Sequence, residues 1–263
     1  MATTKRIVMS PPDHFDIEYS INPWMNVENK VHPEHARKEW ETLKSIYERF
    51  DYAVELIPAV KGLPDLVFTT DHGKFIKDTF YVSQFRYPER QKEQNVAVPW
   101  YQDHKVKLQT LPPEHYMEGG DVLTHAGHIF VGYGYRTSAN SADFLAEHTH
   151  LPTHSLHLID DAFYHLDTCF FPVADTAFYY PTAFDPASIK VLREVFPMLI
   201  PLTSAEAERF ACNSVVLDNF VLCQPNPTFE QKLIDLGLTP LTLEMHEFNK
   251  SGGGIHCLSQ ILA

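Results

Sequence analysis

A chain of 263 residues with 21 Lys and Arg against 34 Asp and Glu carries a formal charge of −13, which excludes nucleic acid as a partner because neutralising phosphates takes clustered cations. Hydrophobic content of 44% with 13% aromatics marks a folded globular chain, and no apolar run reaches the roughly 18 residues that a membrane span needs. Four Cys without a Cys-x-x-Cys pair, and a start (Met1–Met9) lacking the apolar core of a secretory signal, exclude a disulfide scaffold and point to a reduced, cytoplasmic protein. No linker or low-complexity tract divides the sequence, so one domain over 1–263 is expected.

In chain order, Pro33–Phe50 places Trp40, Leu43, Tyr47 and Phe50 at three- and four-residue steps, predicting an amphipathic helix. Leu66–Phe85 reads as two strands around a turn at Asp71-His72-Gly73, followed by a polar helix at Pro88–Asn95 and a short strand at Val106–Leu111. Gly120–Gly134 predicts a second hairpin turning at Ala126-Gly127, then a helix at Ser138–His148 with a Ser N-cap and a strand at Ser155–Ile159. Leu166–Tyr180 turns at Ala174-Asp175 and is followed by helices at Ala187–Phe196 and Ser204–Phe210. Asn213–Cys223 turns at Asp218-Asn219 and leads into a helix at Thr228–Leu236. The rhythm is periodic. Asp71, Glu118, His165, Asn213 and Cys257 follow one another at 47, 47, 48 and 44 residues. A repeat of that size predicts an array, a solenoid or a propeller, and five units closing on themselves would bring polar residues to a shared axis.

The sharpest local motif is Ser251-Gly252-Gly253-Gly254-Ile255-His256-Cys257. Three glycines allow the backbone positive φ and close approach to a ligand, which sets Cys257 apart from Cys169 and Cys223, read as buried filler among apolar residues; for Cys257 itself a filler role in a short terminal strand before Leu258 and Ile261-Leu262 stays open beside that of a nucleophile. Cys212 is ambiguous between the two. A nucleophilic thiol needs an acid/base partner, and among 15 His the best placed is His165, which strand alternation would put on one face with Asp167. Glu118, before a Gly pair, together with Asp65 and Asp71, adds carboxylates. A Cys, a His and several carboxylates with no basic cradle for phosphate suit an electrophilic carbon inside a planar cation such as a guanidinium.

The segments PPDHFDIEYSINPWM, LPDLVFTTD, MEGGDVL, FVGYGYRTS, HLDT and SGGGIHC resemble, in order and over nearly the whole chain, the guanidino-group-modifying enzyme superfamily of arginine deiminases, dimethylarginine dimethylaminohydrolases and amidinotransferases. The resemblance implies a five-module ββαβ propeller (the pentein fold) of α/β class. It implies Cys257 as nucleophile, His165 as general acid/base and Glu118 as the carboxylate oriented near them. Asp71 and Asp167 would hold the guanidinium, with Asp65 a further carboxylate, while Arg90, Arg136 and Asn22 would contact the amino-acid end of the substrate, Arg86 being an alternative to Arg90. It implies no metal or organic cofactor and a small arginine-like substrate; assembly as a homo-oligomer is left open.

Within the superfamily the length matches the compact hydrolases. The amino-terminal segment and SGGGIHC look most like the catalytic module of cyanobacterial-type arginine dihydrolases, which take arginine to ornithine, ammonia and carbon dioxide and carry Asn where this chain has Asp71. That departure favours a single hydrolysis of arginine or an N-substituted arginine to citrulline. Dihydrolysis and amidine transfer to an amine are the alternatives that share the intermediate. Two rivals lie outside this chemistry. His148, His150, His154 and His157 with Asp160 and Asp161 crowd a region that could bind Zn²⁺, and a silent member would only bind a cationic ligand.

Overall fold

In the computed structural model, which describes residues 5–262, the strand pairs expected from the sequence recur as one plan; residues 1–4 of the amino-terminal segment fall outside the described residues. The chain divides into two compact units, one comprising the residues up to Gly119 with those from Met245 onward, the other Gly120–Glu244.

In the first unit, β1 (Arg6–Met9) is followed by helix α1 (Pro33–Arg49) and by β2 (Ala53–Leu56), which lies parallel to β1. Pro33 opens α1 at a position where its missing N–H costs nothing, and Ala36, Trp40, Leu43, Ile46 and Tyr47 form the buried stripe. Strands β3 (Gly73–Ile76) and β4 (Thr79–Val82) form an antiparallel hairpin; helices α2 (Pro88–Gln91) and α3 (Gln94–Asp103) then lead to β5 (Lys107–Gln109), parallel to β4. Val8, Ile57, Leu66, Phe80, Val82, Ala97 and Tyr101 make the core here.

The second unit repeats the plan three times. Strands β6 (Val122–His125) and β7 (His128–Tyr133), helix α4 (Ser141–Thr149) and β8 (Thr153–His157) form its first sheet. A helical turn α5 (Leu166–Cys169) precedes β9 (Phe170–Val173) and β10 (Thr176–Tyr179), which with helix α6 (Pro186–Val195) and β11 (Met198–Pro201) form the next. The last contains α7 (Ser204–Ala207), β12 (Val215–Leu217), β13 (Phe220–Cys223), α8 (Pro227–Asp235) and β14 (Thr239–Thr242). Local chemistry starts these helices. The Asp185 side chain accepts from Ser188 N, Asn226 accepts from Phe229 N, and Thr203 and Glu206 form a reciprocal capping box, each satisfying N–H groups that a helix cannot pair internally. Back in the first unit come α9 (His246–Asn249) and β15 (Gln260–Leu262), which runs antiparallel to β1 and completes the fifth three-stranded sheet. In all five, a central strand has one antiparallel and one parallel neighbour.

The turns at Ala126-Gly127, Ala174-Asp175 and Asp218-Asn219 join their strands as expected, with Ala126, Ala174 and Asp218 at positive φ. The first hairpin corrects its expectation. Asp71 and His72 lie in a 3₁₀ turn before β3, and the connection falls at Lys77-Asp78, with Lys77 at φ 56°. The expected Pro88–Asn95 helix gives way to two, the second running through Pro99. Helix α4 begins at Ser141 after Asn140, not at a Ser138 cap. No helix among the described residues is long and apolar enough to cross a membrane.

Candidate active site

Within the first unit, Thr70 is where three separate stretches of chain meet. Two consecutive 3₁₀ turns, Pro64–Val67 and Thr69–His72, bury Asp65 and Asp71 beside it. The Thr70 amide donates to the Cys257 carbonyl at 3.1 Å, and its hydroxyl bonds the His256 and Ser259 carbonyls at 2.6 and 3.0 Å. The Cys257 backbone is therefore fixed against the residue preceding Asp71. The Gly run serves that approach, with Gly252 at φ 80° and Gly253 set so tightly that a Cβ would strike the Phe68 ring. Further bonds hold the loop: Asn249 Nδ2 to Gly253 O at 2.9 Å, and Ser259 Oγ to Ile255 O at 2.6 Å.

Glu118 arrives by the same crowding. Met117 and Gln84 exchange two backbone hydrogen bonds at 2.8 and 3.1 Å, and Gly119 lies so close that a Cβ would enter the Thr70 and Gly73 carbonyl oxygens. Glu118 itself is fully buried. Since backbone cannot yield as a flexible side chain would, Gly119→Ala should cost about 1–3 kcal/mol by overpacking, read as a lowered thermal midpoint. An unchanged midpoint would show that the two segments separate freely.

The carboxylates of this unit converge on Arg90, itself buried. Arg90 Nη1 donates to Asp71 Oδ2 at 2.6 Å, Nε and Nη2 pair with the two Glu93 oxygens at 2.8 and 2.9 Å, and Nη2 also reaches the Asp65 carbonyl at 3.2 Å. Tyr19 donates to Asp65 Oδ2 at 2.8 Å. Burial, opposed by Arg90, pushes Glu93 up to about 7, while burial and the Arg90 charge hold His72 down to about 3. The carboxylates around Arg90 raise its pKa well above the ordinary value against the cost of burial. Arg86, the alternative from sequence, is exposed and lies over the Tyr116 ring. Asn22 accepts from the Trp24 and Met25 amides and donates to the Ser251 carbonyl at 3.0 Å, tying the amino-terminal loop to the start of the Gly run.

In the second unit, His165 is the N-cap residue of α5 and Asp167 lies in its first turn. This corrects the strand alternation invoked from sequence, because the segment is helical and its facing is set by the turn. The His165 carbonyl accepts from Thr168 N and Oγ1 at 3.2 and 2.6 Å. Asp121 Oδ1 accepts from Leu166 N at 3.0 Å, and Asn213 Nδ2 reaches the Asp167 carbonyl at 3.4 Å. The Arg136 guanidinium covers the Tyr164 ring at 4.5 Å, and that ring tilts against His165 with centroids 4.7 Å apart. His165, Asp167 and Arg136 are all buried. Sequence reasoning passed over Thr70, Glu93 and Asp121. The i,i+3 spacing of Arg90 and Glu93 was an available signal for one of them.

All four cysteines are buried, Cys257 included. Burial raises Cys169 and Cys212 well above an ordinary thiol and pushes Cys223 up to about 12, which leaves them protonated at neutral pH. The imidazoles of the Zn²⁺ rival go to separate partners. His148 bonds the Phe144 carbonyl, His154 pairs with His128 at 2.9 Å, and His157 faces Asp185 and stacks on Tyr133. Among the described residues, no group of three or more His, Cys, Asp or Glu is placed to hold a metal ion.

Five mixed sheets of one plan, with a glycine-presented cysteine pinned to a carboxylate-bearing turn, define a guanidino-group-modifying enzyme of the α/β propeller class. A family profile described as N,N dimethylarginine dimethylhydrolase, eukaryotic, matches residues 11–262, and the chain belongs to this family of hydrolases acting on guanidino groups. It is 37% identical to the N(G),N(G)-dimethylarginine dimethylaminohydrolase of Mycobacterium tuberculosis, over 97% of this chain and 84% of that one. It is 36% identical to the bifunctional arginine dihydrolase/ornithine cyclodeaminase AgrE of Nostoc sp., over 98% of this chain but only 38% of that protein's length. Among solved structures, the product-bound N-terminal domain of ArgZ, an arginine dihydrolase from cyanobacteria, superposes with a TM-score of 0.94 at 33% identity, covering 99% of this chain and 98% of that one. This agreement confirms the five-module pentein fold class that the family resemblance implied.

Proposed function

We propose that the chain is a cysteine-dependent hydrolase of arginine or an N-substituted arginine that releases citrulline with ammonia or an amine. The observation that carries this reading is the double anchoring of the Cys257 segment on Thr70, which sets a thiol-bearing loop against the turn carrying Asp71. The family match over residues 11–262 supports treating both units as one catalytic domain. A covalent route is supported by the ArgZ domain, whose Asn-to-Ser variant was solved covalently bound to a reaction intermediate and whose Cys-to-Ser variant was solved with substrate.

In this reading the Cys257 thiolate attacks the guanidinium carbon while Asp71 and Asp167 hold the cation. His165 protonates the departing ammonia or amine, leaving an amidino group bonded to sulfur. His165 then takes a proton from water, which adds to the same carbon, and the C–S bond breaks to free Cys257 and citrulline. Glu118 orients the reacting groups, while Asp65, Arg90, Arg136 and Asn22 shape the end that receives the amino acid. None of these steps calls for a cofactor.

Incubating the protein with arginine and with N,N-dimethylarginine, and identifying products by mass spectrometry, tests the reading. Citrulline is expected, with ammonia from the first substrate and dimethylamine from the second. Ornithine without citrulline would establish dihydrolysis instead, and turnover appearing only with an amine acceptor would establish amidine transfer.

A further inference from the structure

The proposed reaction leaves Glu93 without a role, although it is among the most enclosed carboxylates of the first unit. It follows Arg90 by three residues, and its two oxygens take Nε and Nη2 of that arginine in a paired arrangement. A planar fork held on one edge cannot rotate about its stem, so its remaining edge points in one direction. That edge carries Nη1, which donates to Asp71 at 2.6 Å. Of the five N–H groups on a guanidinium, the four bonds to Glu93, Asp71 and the Asp65 carbonyl leave one, on Nη1, without a hydrogen bond among the described residues.

We propose that Glu93 is a positioning residue for guanidino hydrolysis: by clamping one edge of Arg90 it sets both the Asp71 carboxylate that receives the substrate and the single Arg90 N–H left to meet the substrate's amino-acid end. The inference rests on the proposed function for the identity of the substrate, and on geometry alone for the clamp. Removing the Glu93 charge lets the fork turn, and a misplacement of about 1 Å at a site of this kind costs on the order of 100-fold in rate.

The clamp also carries a pH signature. Glu93 faces Arg90 on its own segment, His72 Nε2 at 3.7 Å on the adjoining 3₁₀ turn, and more distantly Asp65, Asp71 and Tyr19. His72, held down to about 3, stays neutral through the physiological range, and of this facing pair it is Glu93, pushed up to about 7, that changes charge near neutrality. Above that pH the carboxylate is ionised and both Arg90 bonds are charge-assisted. Below it, the protonated acid resembles an amide.

Glu93→Gln tests the inference. At pH 8 its kcat/KM on arginine should fall about 100-fold, and the gap from wild type should narrow to about ten-fold at pH 6 as Glu93, pushed up to about 7, takes up its proton; a purely structural role would leave a gap independent of pH. In combination with Arg90→Lys, Glu93→Gln should add little beyond Arg90→Lys alone, because it acts through that residue. A kcat/KM within three-fold of wild type at pH 8, or full additivity with Arg90→Lys, overturns the proposal. Glu93→Asp, which keeps the charge but shortens the reach, serves if the amide variant does not fold, with an intermediate loss expected and wild-type kinetics contradicting the clamp. Should wild type turn over no guanidino substrate, the functional reading fails, and a crystal structure of Glu93→Gln then decides the clamp separately. Arg90 displaced from Asp71 supports it, and an unmoved Arg90 overturns it.

Discussion

Replacing Cys257 by serine should eliminate citrulline formation, with a loss on the order of 10⁴-fold or more, as expected when the group that forms the covalent intermediate is removed. The loop should survive the change. Its position depends on the Cys257 carbonyl accepting from Thr70 N, on Thr70 Oγ1 and on the Asn249–Gly253 bond, none of which uses the sulfur. A far-ultraviolet spectrum and thermal midpoint near wild type are therefore expected beside the lost activity. Thiol alkylation gives an independent measure. All four cysteines are buried, but raised pKa values also hold Cys169, Cys212 and Cys223 protonated, so with Cys257 as the nucleophile a small alkylating reagent should modify it first, and arginine should slow that modification. Turnover within ten-fold of wild type in Cys257→Ser, or alkylation at another cysteine first, would remove Cys257 from the chemistry.

The repeat was readable because three of its hairpins turn at Ala126-Gly127, Ala174-Asp175 and Asp218-Asn219, pairs in which a glycine or short polar residue separates two apolar strands. The same rule failed at Asp71-His72-Gly73. That triplet has the composition of a turn, but its glycine answers a different need: a Cβ on Gly73 would meet the Tyr81 carbonyl and the Phe80 ring. The true turn uses Lys77 at positive φ, a residue that announces nothing in sequence. Helix α3 was missed because Pro99 reads as a stop, whereas Ala97 and Tyr101 on either side of it are buried and packing overrides the lost hydrogen bond. At the site, residues that would bear reactive atoms carried their own signal, through glycines beside Cys257 and Glu118. The residues that hold them did not. Thr70 bonds a segment nearly two hundred positions away, and Asp121 caps a turn 45 positions on; only tertiary structure pairs partners so distant. His165 and Asp167 are presented by a helical turn and not by the alternating strand expected from the sequence.

Asp71→Asn should change both the rate and the product. As a carboxylate, Asp71 can only accept hydrogen bonds, and with a guanidinium those bonds are charge-assisted. Loss of one such interaction is worth about 1.5–3 kcal/mol, so kcat/KM for arginine should fall roughly ten- to a hundred-fold. The paired effect concerns what happens after the first hydrolysis. The ureido group of citrulline is neutral, and its oxygen needs donors; facing an acceptor-only Asp71 it is poorly held and leaves. An amide at position 71 offers N–H groups to that oxygen while its own carbonyl still faces Arg90 Nη1, in place of the 2.6 Å bond now made by Asp71. A retained and polarised ureido carbon is open to a second attack, because donors aimed at its oxygen stabilise the charge that develops there. Ornithine, ammonia and carbon dioxide should then accompany citrulline in Asp71→Asn and be absent from wild type. Chromatography of reactions with uniformly ¹³C-labelled arginine resolves the two amino acids and the released carbon. If the variant yields citrulline alone at an unreduced rate, residue 71 neither grips the cation nor decides where hydrolysis stops.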